Sequence, residues 1–306
     1  MKTMRRWLLA LPLVIGVGAL AVTACVGDEP VAPSATSGSD AAGGVDGGPQ
    51  DSDAARDDAA GIGDAGPSCA YAASVSEDHP LYYYRFAVAN PPNEGSGDGG
   101  IVTGEAGTVE PPGAVGCEPA DKGVRIDGTG GSELFGLLDA PFNAAFSIEL
   151  LFEPEPGSDR NARLFTRESF PGAPSTALLY GYNLVYDEPA TGPKTIYFTR
   201  YADSKDAGMS RDAVTVTPLE DKAGFRHVAA TFDGTDLKVY VDGSVRGTVS
   251  SGVQPNATPA ARAFIGARVP PNGAFDGRFK GRIDEVAYYN HALSAERVAA
   301  HYAGLR

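Results

Sequence analysis

The chain has 306 residues, and its 25 Lys and Arg against 39 Asp and Glu give a formal net charge of −14 at pH 7. Nucleic-acid binding depends on neutralising phosphates with basic side chains, so this balance argues against a nucleic-acid partner. Four His and three Cys leave little room for a zinc or iron–sulfur centre, whereas 39 Gly and 23 Pro suit a turn-rich β protein.

The first 24 residues are predicted to be a signal peptide. A basic segment, Met1–Arg6, precedes an apolar stretch, Trp7–Ala24, in the order that secretory signals show. The sequence Val22-Thr23-Ala24-Cys25 resembles the lipobox of bacterial lipoproteins, and this resemblance implies cleavage before Cys25 and lipid attachment to it. The alternative is an uncleaved anchor, because the 18 residues of the apolar stretch are near the lower length limit of a spanning helix.

Residues 25–68 are predicted to be the lipidated cysteine and a disordered tether. The segment Val26–Ser68 is rich in Gly, Ala and Asp and contains no aromatic residue. It has too little apolar area to offset the entropy lost on ordering, and repulsion between its aspartates extends it further.

Residues 69–306 are predicted to be a single folded domain that contains Cys69 and Cys117. A secretory signal implies an oxidising compartment, in which a Cys69–Cys117 disulfide would tie the start of the domain to the loop before Val124–Ile126. The other interpretation is a reactive thiol, for which no His lies in a supporting motif.

The domain is predicted to consist mainly of β-strands. Phe146–Phe152 places Phe146, Ile148, Leu150 and Phe152 on one strand face. Ala177–Tyr186 and Lys194–Tyr201 are strand-like runs. Two Asp-Gly turns, Asp233-Gly234 and Asp242-Gly243, then separate three alternating segments and predict a β-meander.

The chain is predicted to end in one helix after two further strands, at Phe264-Ile265 and Phe279–Tyr289. Ser294 is the candidate N-cap of this helix, and Gly304 is its expected end.

Four motifs follow one another in the C-terminal part of the chain. They are Phe225-Arg-His-Val-Ala-Ala-Thr-Phe-Asp-Gly234, Leu237-Lys-Val-Tyr-Val-Asp-Gly243, Phe264-Ile-Gly266 and Gly281-Arg-Ile-Asp-Glu-Val286. Their order and spacing resemble the laminin-G-like, concanavalin A-like domains. The resemblance implies an all-β fold, a two-sheet antiparallel jelly-roll sandwich of about a dozen strands with a short C-terminal helix.

Relatives in this fold class include glycoside hydrolases of the laminarinase type, which need two carboxylates about 5 Å apart for retaining hydrolysis. Glu149, Glu153 and Glu155 have the even spacing that places side chains on one strand face. However, the prolines at 154 and 156 indicate that the strand ends there. His227 lies in a strand beside small residues and is predicted to be structural.

Asp284 and Glu285 are adjacent in the last strand and are therefore predicted to point to opposite faces of the sheet. One would be satisfied by a partner such as Arg282 or by a backbone N–H, which leaves the other for an ion. By the resemblance, Asp284 is the candidate ligand of a structural Ca²⁺, and the alternative is a hydrogen-bonded structural aspartate.

Tyrosines cluster between positions 180 and 201. By parity, Tyr180, Tyr182 and Tyr186 share one strand face, and they are the candidate ligand-binding residues for a sugar or peptide. The alternative is that they pack between the two sheets.

The sequence thus predicts a lipid-anchored protein of the bacterial cell envelope, at the outer membrane or the cell surface. Its domain is expected to bind a polysaccharide or a surface protein without catalysis. The alternatives are a laminarinase-type hydrolase and a purely structural envelope module.

Overall fold

The computed structural model describes residues 69–88, 90–97, 101–103, 107–115, 121–128, 134–136, 145–169, 180–204, 208–252, 263–268 and 276–305. All of them belong to one compact unit, Ala59–Arg306. The signal segment, Cys25, the tether and Cys117 lie outside the described residues, so lipidation, the tether and the Cys69–Cys117 disulfide stay predictions. Neither helix in the described ranges has the length and hydropathy needed to cross a membrane.

Fifteen strands and two short helices form the described part of the chain. The strands are β1 (Tyr82–Tyr84), β2 (Ile101–Thr103), β3 (Gly107–Glu110), β4 (Gly123–Asp127), β5 (Leu134–Gly136), β6 (Phe146–Pro154), β7 (Ala162–Ser169), β8 (Tyr180–Asp187), β9 (Thr195–Ser204), β10 (Gly208–Val216), β11 (Arg226–Phe232), β12 (Asp236–Val241), β13 (Ser244–Ser250), β14 (Ala263–Ile265) and β15 (Lys280–Tyr289). The helices are α1 (Cys69–Glu77) and α2 (Ala295–Ala303).

The strands form two antiparallel sheets. The eight-stranded sheet has the order β13-β12-β11-β6-β15-β4-β3, with β1 paired to β15. The seven-stranded sheet has the order β10-β9-β8-β7-β14-β5-β2. Strands that are distant in sequence are neighbours in both sheets, as in a jelly roll. The predicted all-β, two-sheet sandwich is confirmed.

The main core lies between the two sheets. On β6 the alternating residues Phe146, Ile148, Leu150 and Phe152 are fully buried in it, as the sequence pattern predicts. The ring of Phe146 stacks on that of Tyr182 from the opposite sheet, with centroids 4.4 Å apart. Each such buried side chain contributes about 1.5–3 kcal/mol relative to an exposed one.

The predicted meander is formed by β11, β12 and β13. At the first turn, the Asp233 carboxylate accepts hydrogen bonds from the backbone N–H groups of Thr235 and Asp236, at 2.9 and 2.7 Å. This Asx-type turn is a local property of the sequence, which explains why the turn was predictable.

A second apolar cluster lies on the other face of the eight-stranded sheet, beneath the two helices. Helix α2 begins and ends as predicted, because Ser294 Oγ accepts the Arg297 N–H and Gly304 closes the helix. The prediction of a single helix is wrong, since α1 packs beside α2. Helix α1 buries Tyr71 and Val75, four residues apart. Such a short helix depends on tertiary packing, which sequence pattern alone did not reveal.

Candidate functional site

Glu149 on β6 is the centre of a buried polar cluster. Its carboxylate lies 2.6 Å from His227 Nε2 and 2.9 Å from His301 Nδ1. It also accepts hydrogen bonds from the hydroxyls of Tyr289, at 2.9 Å, and Tyr71, at 3.3 Å. Burial favours the neutral acid, but the hydrogen bonds from His227 and His301 outweigh it and hold the pKa of Glu149 well below its usual value.

His301 on α2 joins this cluster to α1. Its Nδ1 faces Glu149, and its Nε2 lies 3.1 Å from the carbonyl oxygen of Ser74 and 2.9 Å from the Asp78 carboxylate. Both nitrogens therefore face acceptors, which requires a proton on each. Burial lowers the pKa of His301, but the hydrogen bond and charge of Glu149, helped by Asp78, raise it above its usual value.

The contacts of Glu149, and those of two nearby acids at the end of β6, bear on whether these residues could be catalytic. Glu149 is fully buried, so it cannot contact a polysaccharide, and its contacts with Tyr71 and His301 link both helices to the sheet. Glu153 is paired with Arg282, and Glu155 receives two hydrogen bonds from Arg125 at 2.9 and 3.0 Å. Glu149 therefore does not serve as an acid of a laminarinase-type pair.

We expect the stability of the protein to fall as the pH rises from about 6.5. The folded-state pKa of His301 is raised, so its stabilising effect is complete below its unfolded pKa and is lost as the pH rises through its folded pKa. Glu149 acts in the opposite sense, because its folded-state pKa is lowered. The stability that its ionised form contributes is complete above its unfolded pKa of about 4.5 and is lost only as the pH falls below that value. Urea unfolding from pH 5 to 9 should show a shallower alkaline decline for His301→Gln. Equal declines in the two proteins would contradict this role.

Asp284 and Glu285 lie on the same face of β15, so the prediction that they point to opposite faces is wrong. A β-bulge between Asp284 and Ala287 inserts one extra residue, and Glu285 has a φ of +52° there. The bulge breaks the two-residue periodicity and turns both carboxylates to the outer side of the sheet.

Asp121, Asp284 and Glu285 are the described residues that could hold a metal ion, because one carboxylate oxygen from each lies within 4.8 Å of the others. Asp284 accepts backbone hydrogen bonds from Ala114 and Glu285, both at 2.8 Å. Arg85 Nε lies 3.2 Å from Glu285. Burial raises the pKa of Glu285 to about 7, although Arg85 opposes the shift, and burial beside Glu285 also raises the pKa of Asp284.

The predicted tyrosine platform is wrong for Tyr182 and Tyr186. Both are fully buried in the core between the sheets, where they pack against Phe146 and Phe152. The side chain of Tyr180 lies outside the described residues. Parity correctly placed Tyr182 and Tyr186 on one face, but that face is the inner one.

A polar cavity of about 490 Å³ lies instead on the outer face of the seven-stranded sheet. On β9, Ile196 and Phe198 face the core, so the alternating Tyr197 and Tyr201 face this cavity. The Tyr197 hydroxyl donates a 2.6 Å hydrogen bond to Asn161 Oδ1. The arginines of the described lining are Arg160, Arg163, Arg211 and Arg268.

Two of these arginines are fixed by ion pairs. Arg160 contacts Asp187 at 2.7 and 2.8 Å, and Arg268 pairs with Asp276. Arg211, on the edge strand β10, is exposed, and its side chain has no hydrogen bond or ion pair with the described residues. The sequence analysis missed these arginines. For Arg211, the alternation along β10 was the signal that could have found it.

The described fold and cavity define a β-sandwich of the lectin-like class, with a ligand-sized polar depression on one sheet. Residues 127–299 match the family described as the concanavalin A-like lectin/glucanases superfamily, and the chain belongs to this family. The predicted family is therefore confirmed. No curated protein sequence matches the chain.

Several solved structures are similar to this chain. The binding domain of botulinum neurotoxin serotype G is 9% identical, with a TM-score of 0.53, over 73% of this chain and 50% of that chain. The binding domain of botulinum neurotoxin DC in complex with SialylT is also 9% identical, with a TM-score of 0.52, over 75% of this chain and 52% of that chain. Domain 4 of AbnA, a GH43 extracellular arabinanase from Geobacillus stearothermophilus in complex with arabinotriose, is 18% identical, with a TM-score of 0.49, over 72% of this chain and 97% of that chain. The chain thus spans about half the length of the toxin chains, and identities this low indicate fold alone.

Proposed function

We propose that this chain is a non-catalytic, glycan-binding lipoprotein of the bacterial cell envelope. The observation that carries the proposal is the cavity on the outer face of the seven-stranded sheet, where Tyr197 and Tyr201 lie among hydrogen-bonding side chains. Aromatic rings pack against the apolar faces of sugars, and polar side chains at the edge bind the hydroxyl groups. The neurotoxin domain in complex with SialylT has the same fold and is consistent with this use.

Glycan binding is tested by probing an array of neutral and acidic polysaccharides with the purified protein. We expect binding that Tyr197→Ala abolishes and that Tyr197→Phe largely retains, because the second variant keeps the aromatic ring and loses only its hydroxyl. Absence of binding to every glycan on the array would overturn the proposal and favour a structural envelope module or a protein partner.

The laminarinase-type alternative is tested with the same protein. Release of reducing ends from laminarin would support that alternative and contradict the non-catalytic proposal. Because Glu149 is fully buried, such activity would have to come from other carboxylates.

The proposed location in the bacterial cell envelope rests on the sequence of residues 1–68, which precede the domain. Cleavage before Cys25 and attachment of lipid to this residue would tie the chain to a membrane, with residues 26–68 as the tether. Mass spectrometry of the protein from bacterial membranes should show acyl groups on Cys25. An unprocessed N-terminus would contradict anchoring by lipid.

We also propose that Asp284 helps to hold a structural Ca²⁺. The support is geometric, because Asp121 and Glu285 bring two further carboxylates to the same place. Arg85 contacts one of these carboxylates, that of Glu285. Calcium takes 6–8 oxygen ligands and prefers carboxylates and carbonyls. Since a ligand that binds only the folded state stabilises it, Ca²⁺ should raise the Tm relative to chelator, and Asp121→Asn should reduce the rise. Equal Tm values with calcium and chelator would overturn the proposal.

A further inference from the structure

The cavity on the seven-stranded sheet carries more positive than negative charge. Its described lining contains four arginines against two aspartates, Asp159 and Asp276. Asp159 is already paired with Arg278, at 3.0 Å, and Asp276 with Arg268. A chain with a net charge of −14 thus keeps a local excess of arginine in one concave site.

We infer that this cavity selects acidic polysaccharides, whose sugars carry carboxylate or sulfate groups. The inference rests on the proposed glycan-binding function and narrows its ligand class. The guanidinium group presents a planar fork of N–H donors that matches the oxygens of such anions and binds them in a bidentate manner.

Arg211 is the residue best placed to make this contact. It is exposed and has no ion pair within the described part of the chain, whereas Arg160 and Arg268 already contact aspartates. It is also directly opposite Tyr201 in the pairing of β10 with β9. Side chains opposite each other in a sheet lie close together. Tyr201 is only 8% exposed, whereas Tyr197 is partly exposed in the same cavity, so a sugar ring on Tyr197 would bring its acidic group towards Arg211.

Because the chain as a whole is acidic, we expect acidic polysaccharides to bind in this cavity and not elsewhere on its surface. The net charge of −14 repels an acidic polymer at long range, so attraction depends on the arginines within the cavity. Since arginine–anion contacts at a partly exposed site are screened by salt, binding should weaken as the ionic strength rises.

The test compares polygalacturonate, dextran sulfate and neutral dextran by calorimetry with the purified full chain. We expect at least one acidic polymer to bind more tightly than dextran, and Arg211→Gln to weaken that binding about tenfold or more. Arg246→Gln is the matched control, because Arg246 is an exposed arginine on β13 of the other sheet. It should change the affinity by less than about twofold, since it is outside the cavity.

The outcomes separate this inference from the proposed function. Binding of polygalacturonate alone would identify carboxylate as the recognised group, and binding of dextran sulfate alone would identify sulfate. Equal affinity for dextran and both acidic polymers, or equal effects of Arg211→Gln and Arg246→Gln, would overturn the inference and leave glycan binding intact. Failure to bind these polymers and every glycan on the array would overturn both.

Discussion

Replacing Glu149 with Gln is expected to lower the free energy of unfolding by about 3–5 kcal/mol, the usual cost of removing one partner from a buried ionic cluster. The Glu149 carboxylate accepts four hydrogen bonds, from Tyr71, His227, Tyr289 and His301. A glutamine offers one acceptor oxygen and one amide group that itself donates. It would leave donors unpaired and the His301 charge without its main partner in a site that excludes water.

The measurement is equilibrium unfolding in urea, followed by circular dichroism. Glu153→Gln is the matched control, because Glu153 is on the same face of β6 but is partly exposed and pairs with Arg282. An ion pair of that kind contributes less than about 1 kcal/mol. Equal losses in the two variants would show that the Glu149 cluster does not hold the helices on the sheet.

Replacing Gly281 with Ala is expected to lower the free energy of unfolding by about 3–5 kcal/mol, because backbone strain and steric overlap act together. Gly281 has a φ of +142°, which residues with a Cβ rarely adopt. A Cβ there would overlap the carbonyl oxygen of Glu153 on the neighbouring strand and lie 3.0 Å from the backbone nitrogen of Glu155. Both are backbone atoms, so no side-chain rotation relieves the overlap. This explains the glycine of the Gly281–Val286 motif.

The control for this substitution is Gly234→Ala. Gly234 also has a positive φ, of +99°, but a Cβ there would meet no atom within 4 Å. Gly234→Ala should therefore lower the free energy of unfolding only by the cost of holding alanine at a positive φ, about 1–2 kcal/mol. The difference between the two variants in thermal or urea unfolding measures the cost of the steric overlap. If Gly281→Ala lowers the free energy of unfolding no more than Gly234→Ala does, the overlap at position 281 has no effect on stability.

Strand positions and turns followed from the sequence because their signals are local. In residues 146–152 and 226–232, alternate side chains lie on opposite faces of the sheet, as expected for strands. The turn at Asp233 forms through hydrogen bonds from the residues two and three positions further along the chain, Thr235 and Asp236. The C-terminal helix was predictable for the same reason, since Ser294 and Gly304 act within one turn.

Parity showed that Tyr182 and Tyr186 lie on one strand face, but it did not show whether that face is the inner or the outer one. That choice depends on where the second sheet packs, and Tyr197 and Tyr201 on β9 take the outer positions. The bulge at Glu285 has a similar origin, because it arises from the pairing of β15 with β6.

The sequence alone determined the β-rich class, the order of most strands and the family, because periodicity and turn chemistry act over a few residues. The tertiary structure decided which side chains meet. Glu149 is 78 residues from His227 and 152 from His301, and the arginine-lined cavity draws on β7, β9, β10 and the segment between β14 and β15. Contacts over such distances in sequence exist only after the sheets have paired and stacked, so no local pattern encodes them.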